Sequence, residues 1–167
     1  MTFERGGRKP GPGKVAGALA ALAALAAAKW PPAEVPTLEE AIGRSPNIVR
    51  VKVLEVPEEG PVRVEVREVY WGDFENKGWV DPTYEVPDAE GEGGHDVAFE
   101  FKVGEQYVIF GRRDFGGLYR PFLFWNTRWG VADVVEDELE LARFAEGPRR
   151  IRLAAFRETV REVKWGM

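Results

Sequence analysis

The clearest alternation of apolar and polar positions falls in residues 97–113. Val97, Phe99 and Phe101 alternate with Ala98, Glu100 and Lys102, the period-two pattern of a half-buried strand. A turn at Val103-Gly104-Glu105 follows. Tyr107, Val108, Ile109 and Phe110 are then apolar at every position, as in a strand covered on both faces. The pattern predicts a central hairpin with which other strands pair. Upstream, Val49, Val51 and Val53 share one parity in a strand over residues 48–56, after which Leu54 and Val56 take the other parity. A parity flip within one strand predicts a bulge near Val53, and a bulged, bent first strand is how a small barrel turns a corner. Val62, Val64 and Val66 alternate with Arg63, Glu65 and Arg67 in a second strand, beyond a turn rich in Pro, Glu and Gly. Residues 118–124 predict a further strand, which Pro121 confines to an edge or a bulge.

Helical signals flank these strands. Thr37-Leu38-Glu39-Glu40 has the spacing of a capping box, and Leu38, Ala41 and Ile42 form an apolar stripe that Gly43 ends. Residues 134–144 predict a helix with Val135, Leu139 and Ala142 on one side. After Gly147, Pro148 suits the first position of a last helix. Its stripe is Leu153, Phe156, Val160 and Val163, with Arg150, Arg157, Arg161 and Lys164 towards the other side. That basic side is expected to be solvated, with contact to an anionic lipid surface as the alternative.

The N-terminal residues have a different character. Arg5, Arg8, Lys9 and Lys14 precede an uncharged run of Val, Ala, Gly and Leu over residues 15–28, which ends Ala26-Ala27-Ala28. A basic region, an apolar region and an Ala-x-Ala end are the parts of an export signal. The alternatives are an uncleaved anchor, for which the apolar run is short, and an Ala-rich helix of the domain. The expected organisation is a signal or anchor over 1–28, a Pro-rich linker over 29–36, a barrel domain over 37–146 and a C-terminal helix over 147–167. An extracytoplasmic location follows from the signal, whether secreted, periplasmic or membrane-anchored.

Composition narrows the chemistry. The 167 residues include no Cys, one His (His95) and one Ser (Ser45). Thiolate metal sites, disulfides and Cys nucleophiles are excluded, and His-based general-base chemistry and Ser triads have almost nothing to draw on. No two carboxylates stand out as a catalytic pair, so the chain is not expected to be an enzyme, and no cofactor is expected. Residues 29–142 carry 12 basic and 24 acidic side chains, net −12, whereas residues 143–167 carry net +4. An acidic body repels phosphate backbones, which argues against nucleic acid as a partner. The acid is densest over residues 73–96, the least regular stretch. There Asp88, Glu90, Glu92 and Gly93 match the first half of a calcium loop, but Phe99 stands where the bidentate Glu would be. This stretch is expected to be a solvated loop, with no metal.

Four motifs in order resemble the netrin-module-like domain best known from tissue inhibitors of metalloproteinases, in its bacterial forms. A short helix leads into a Val-rich strand over residues 38–56. The second strand ends in Val69-Tyr70-Trp71-Gly72. Residues 101–110 carry Phe-x-x-Gly-Glu-x-Tyr-x-x-Phe, and Gly117-Leu118-Tyr119 precedes Asn126-Thr127-Arg128. The resemblance spans residues 36–144. It implies a mainly β fold, a five-stranded Greek-key barrel of the oligonucleotide/oligosaccharide-binding (OB) type with short flanking helices, in an exported protein, and the C-terminal amphipathic helix read above follows it. The vertebrate inhibitors of that family chelate zinc through an N-terminal Cys. This chain has none, so that activity does not carry over.

The expected function is a non-enzymatic interaction domain whose barrel rim contacts a protein, with an oligosaccharide-binding module as the alternative. Trp71, Trp79, Trp125 and Trp129, with Asn126 and Arg128, form the candidate interaction surface. The competing reading of each Trp is core packing. Membrane contact is expected only through the N-terminal segment or the basic C-terminal helix.

Overall fold

The computed structural model describes residues 35–72, 78–87, 94–114, 116–124 and 128–166. The export segment, the linker up to residue 34 and the half calcium motif lie outside the described residues. The order of elements is α1 (Leu38–Arg44), β1 (Asn47–Glu55), β2 (Val62–Trp71), β3 (Trp79–Val80), β4 (Thr83–Pro87), β5 (Gly94–Ala98), β6 (Gln106–Arg113), β7 (Tyr119–Pro121), β8 (Leu123–Phe124), β9 (Arg128–Trp129), β10 (Val131–Val135), β11 (Glu138–Glu140), β12 (Arg150–Arg152) and α2 (Leu153–Trp165).

Five strands close into a barrel in the order β1-β2-β3-β7-β6 and back to β1. All neighbours are antiparallel except β3 and β7, which meet in parallel at Val80 and Tyr119. This is the OB-type Greek-key barrel. The central strand is β6. One of its edges pairs with β1. Its other edge is shared in series, by β10 along Gln106 to Ile109 and by β7 along Gly111 to Arg113. Gly111 is required there, because a Cβ would run into the Arg120 carbonyl of the facing strand.

The bulge predicted near Val53 is present: Val53 pairs with Val64 and Glu55 with Arg63, leaving Leu54 out of register. Both faces of β6 are buried, each in its own core. Tyr107 and Ile109 join Val49, Val51, Val62, Val64 and Val80 inside the barrel. Val108 and Phe110 face outward beneath the helices, with Ile42, Phe144, Phe156 and Val160.

The capping box of α1 forms as read. The Glu40 N–H donates to the Thr37 hydroxyl (3.1 Å), and the Thr37 N–H donates to the Glu40 carboxylate (2.9 Å). The helix runs one residue beyond Gly43. The chain's one Ser closes it, donating its hydroxyl to the Ala41 carbonyl at 2.6 Å. The Leu38 N–H donates to the Glu146 carboxylate (2.9 Å), tying the start of α1 to the segment before β12.

Five readings are corrected. Residues 99–102 are not a strand, so the predicted central hairpin does not form. β5 ends at Ala98 and pairs with β4 instead, and Phe99 and Phe101 alternate because both rings turn into the open end of the barrel. The stretch read as a solvated acidic loop therefore holds a β-hairpin, of which residues 88–93 lie outside the described residues. Residues 134–144 are not a helix but the hairpin β10–β11, whose turn puts Glu136 (φ 50°) and Asp137 (φ 64°) in the left-handed region. The strand read over 118–124 is two, β7 and β8, in different sheets. The last helix begins at Leu153, not Pro148, because Arg150 to Arg152 form β12 against β11.

Candidate functional site

The end of the barrel that carries the β1–β2 turn gathers several exposed large apolar side chains. The bulge turns Leu54 outward, and Val56 follows it. The Gly104 N–H donates to the Val53 carbonyl (2.9 Å), and the Val53 N–H to the Glu105 carbonyl (3.0 Å). These bonds pin the turn before β6 against β1, and Val103, 63% exposed, stands beside the bulge. Across the sheet Glu55 pairs with Arg63, and Arg63 with Trp79. Strand spacing then sets Trp79 about 10 Å from Glu55 on the outer face. Leu54, Val56, Trp79 and Val103 are four of the five exposed large apolar side chains among the described residues.

A groove runs inward from this rim, between the β1–β2 turn and residues 98–101. Val56, Pro57, Val62 and Pro82 wall it, and Phe99 and Phe101 form its floor. The two rings stack edge to face at 4.7 Å, and both stack on Tyr107. On the other side of Phe99 lies a polar cleft lined by Glu100, Lys102, Glu105, Tyr107, Asp133 and Arg143. The Arg143 guanidinium lies 4.8 Å from the Phe99 ring centre and 3.5 Å from the Asp133 carboxylate. The Tyr107 hydroxyl accepts the Lys102 N–H at 3.2 Å. Burial pushes this phenol up, and the Lys102 bond offsets only part of that.

Two ion-pair clusters brace the barrel. Arg120 spans Asp81 (2.9 Å) and Asp114 (3.0 Å) at the parallel seam. Burial pushes the Asp114 carboxyl up. The Arg120 bond and the Leu118 and Gly116 N–H groups outweigh it and hold the carboxyl below the ordinary aspartate value. On the helix side, Glu68 takes Arg157 at 2.6 Å and Arg50 at 3.6 Å. Beside it the Tyr70 phenol is pushed up, first by burial and then by the Glu68 charge. The basic side of α2 is thus engaged within the protein. Arg157 holds Glu68, Arg161 holds Glu158 at 2.9 Å, and the Lys164 ammonium donates to the Gly43 and Ser45 carbonyls at 3.2 and 2.9 Å. Burial lowers the pKa of Lys164.

Of the six residues named from the sequence, the two whose side chains are described, Trp71 and Trp79, stand apart. Trp79 stands at the rim. Trp71 lies at the opposite end of β2, roughly 25 Å away at the usual rise per strand residue. It is half-buried there, edge-on to Trp165 at 5.9 Å, with the Lys164 ammonium 5.5 Å from its ring centre. Trp125 and Asn126 lie outside the described residues. Arg128 and Trp129 form β9, and only their backbone is described. The sequence reading missed Leu54, Val56, Val103 and Arg143 as surface contributors. The parity flip at Leu54, and an apolar Val103 inside a turn, were the signals for the first three.

Among the described residues no group of three or more His, Asp or Glu side chains could hold a metal ion. No described helix is long and apolar enough to cross a membrane. No protein-family model matches the chain, and a search of curated proteins returns no match.

Proposed function

We propose that the chain is an exported, non-enzymatic interaction domain, related to the netrin-module-like barrels, that binds a protein through the rim around Leu54, Val56, Trp79 and Val103. The observation that carries this reading is the gathering of four exposed apolar side chains at one barrel end, beside a groove floored by aromatic rings. Water-exposed apolar groups that cluster, rather than scatter, are characteristic of protein contact surfaces. The engaged cations of α2 weigh against a lipid-binding role for that helix. The test is cross-linking in an envelope fraction of the native host, comparing the parent with a Leu54→Asp/Val103→Asp variant. A partner captured by the parent and lost by the variant supports the reading. Equal capture by both overturns it.

A second reading has one observation in its favour. Trp79 stands 37% exposed on the outer face of β2 and β3, the face on which OB barrels hold oligosaccharides. A glycan array separates the two: binding that is lost in Trp79→Ala but kept in the Leu54→Asp/Val103→Asp variant selects carbohydrate.

A further inference from the structure

Resting on the protein-binding reading above, we infer that the groove takes an extended polypeptide segment in which a large apolar side chain adjoins lysine or arginine. The argument is one of shape and charge together. The groove itself is apolar, and its only charged lining groups are Glu58, Glu59 and Glu100. The polar cleft lies just beyond Phe99 and shares Ala98, Phe99 and Glu100 with it, so the two run along either side of one stretch of chain. The cleft adds Glu105 and Asp133 against Lys102 and Arg143. Arg143 is already held by Asp133 and by the Phe99 ring. Among the described residues no ion pair engages the carboxylates of Glu58, Glu59, Glu100 or Glu105, whereas Glu55 has Arg63 at 3.9 Å. A ligand lying in the groove therefore meets Glu58, Glu59 and Glu100 without a countercharge, and beyond Phe99 a cleft whose three carboxylates outnumber its two cations.

An apolar anchor would bury against Phe99 and Phe101, and a cation one or two residues along an extended backbone would reach Glu100 or Glu105. An acidic segment would be repelled from the same seat. Leu54, Val56 and Val103 extend the apolar surface beyond the groove mouth, which a backbone segment covers and a compact small molecule does not. The basic helix of a second copy is a poor occupant, because its Arg157, Arg161 and Lys164 are already engaged.

The test uses the full chain and three sets of fluorescently labelled extended peptides, each about ten residues long with a central Leu-Phe pair. The pair is flanked by Lys and Arg in the first set, by Ser in the second and by Glu in the third. Fluorescence anisotropy should show the basic set binding at least about tenfold more tightly than the neutral set, with affinity falling as salt is raised and the acidic set not binding. A Glu58→Lys/Glu59→Lys/Glu100→Lys variant should lose the basic peptides by about tenfold or more while keeping the parent melting temperature. The inference is overturned if the neutral or acidic set binds as tightly as the basic one, if the basic set does not bind, or if its binding survives the charge reversals. If those results come while rim-dependent cross-linking persists, the assigned chemistry fails and the protein-binding reading stands. If rim-dependent cross-linking is also absent, the reading itself fails.

Discussion

Inside the barrel, Tyr107 and Ile109 of β6 pack among valines of β1, β2 and β3, whereas Val108 and Phe110 of the same strand pack outward against rings. Phe110 meets Phe144 at 5.3 Å and Phe156 at 5.9 Å, and Phe156 meets Tyr70 at 4.8 Å, all edge to face. A five-stranded barrel has a narrow lumen, which short β-branched side chains fill without strain. Helices over a sheet stand further off and leave room for aromatic groups. The barrel interior takes rings at its rim end, where Phe99, Phe101 and Tyr107 plug the opening, and at the parallel seam, where Tyr119 is buried. The two cores thus reach close packing with different residues. The outer core stacks its rings on one another between sheet and helices, and the inner one fills its middle with valines and sets its rings at the end and the seam.

The largest expected effect is a truncation in the outer core. Phe156→Ala, at a fully buried position, should cost about 3–5 kcal/mol, a large part of a typical domain's stability. Ile109→Val in the inner core should cost about 0.5–1.5 kcal/mol. Denaturant titration reads both losses, and a loss for Phe156→Ala no larger than that for Ile109→Val would mean that the outer core is not close-packed around its rings. Next is Gly111→Ala. The added methyl group meets the Arg120 backbone, so β6 and β7 must move apart at a cost of about 1–3 kcal/mol, read as a lowered melting temperature.

A smaller effect is pH-dependent. Asp114 has a folded pKa below its unfolded one, so its contribution is present above the unfolded value and is lost as pH falls through the folded one. Stability should therefore decline below about pH 4, and Asp114→Asn should flatten that part of the profile. The partly exposed pair limits the change to about 1 kcal/mol or less. Smallest is Val103→Asp at the rim, expected to shift stability by no more than about 0.5 kcal/mol while weakening partner capture. A large loss of stability there would mean that the rim is part of the fold rather than a contact surface.

Much of this fold was legible in the chain. The capping box at Thr37 and Glu40, the parity flip after Val53 and the doubly apolar run of β6 each have one physical meaning, and each is found. The errors have physical causes. Phe99 and Phe101 alternate with Glu100 and Lys102 as strand residues do, yet they bury by plugging the barrel end rather than by pairing with a neighbour. The β10–β11 turn is built from Glu136 and Asp137; Asp tolerates a positive φ but Glu rarely takes one, so the turn lacks the Asn-Gly signature of a hairpin. The alternation Glu138-Leu139-Glu140-Leu141, with both leucines buried, was the better guide to that stretch. The site was less legible than the fold. Trp residues drew notice by their chemistry. Beside Trp79 the rim is made of ordinary Val and Leu side chains whose exposure depends on a bulge and a turn, and only the folded chain brings these together.

The parallel seam has a consequence for solubility. The ring is completed there by a single bridge between Val80 and Tyr119, supported by the Asp81 N–H donating to the Tyr119 carbonyl at 2.8 Å. If that bridge parts, two short strands present unpaired backbone edges with Val80 and Tyr119 beside them, a template for joining one molecule to the next. Arg120 holds an aspartate on either side of this gap. Its pair with Asp81 crosses the gap, and its pair with Asp114 anchors it to the β6–β7 side, so the seam cannot open without breaking an ion pair as well as the bridge.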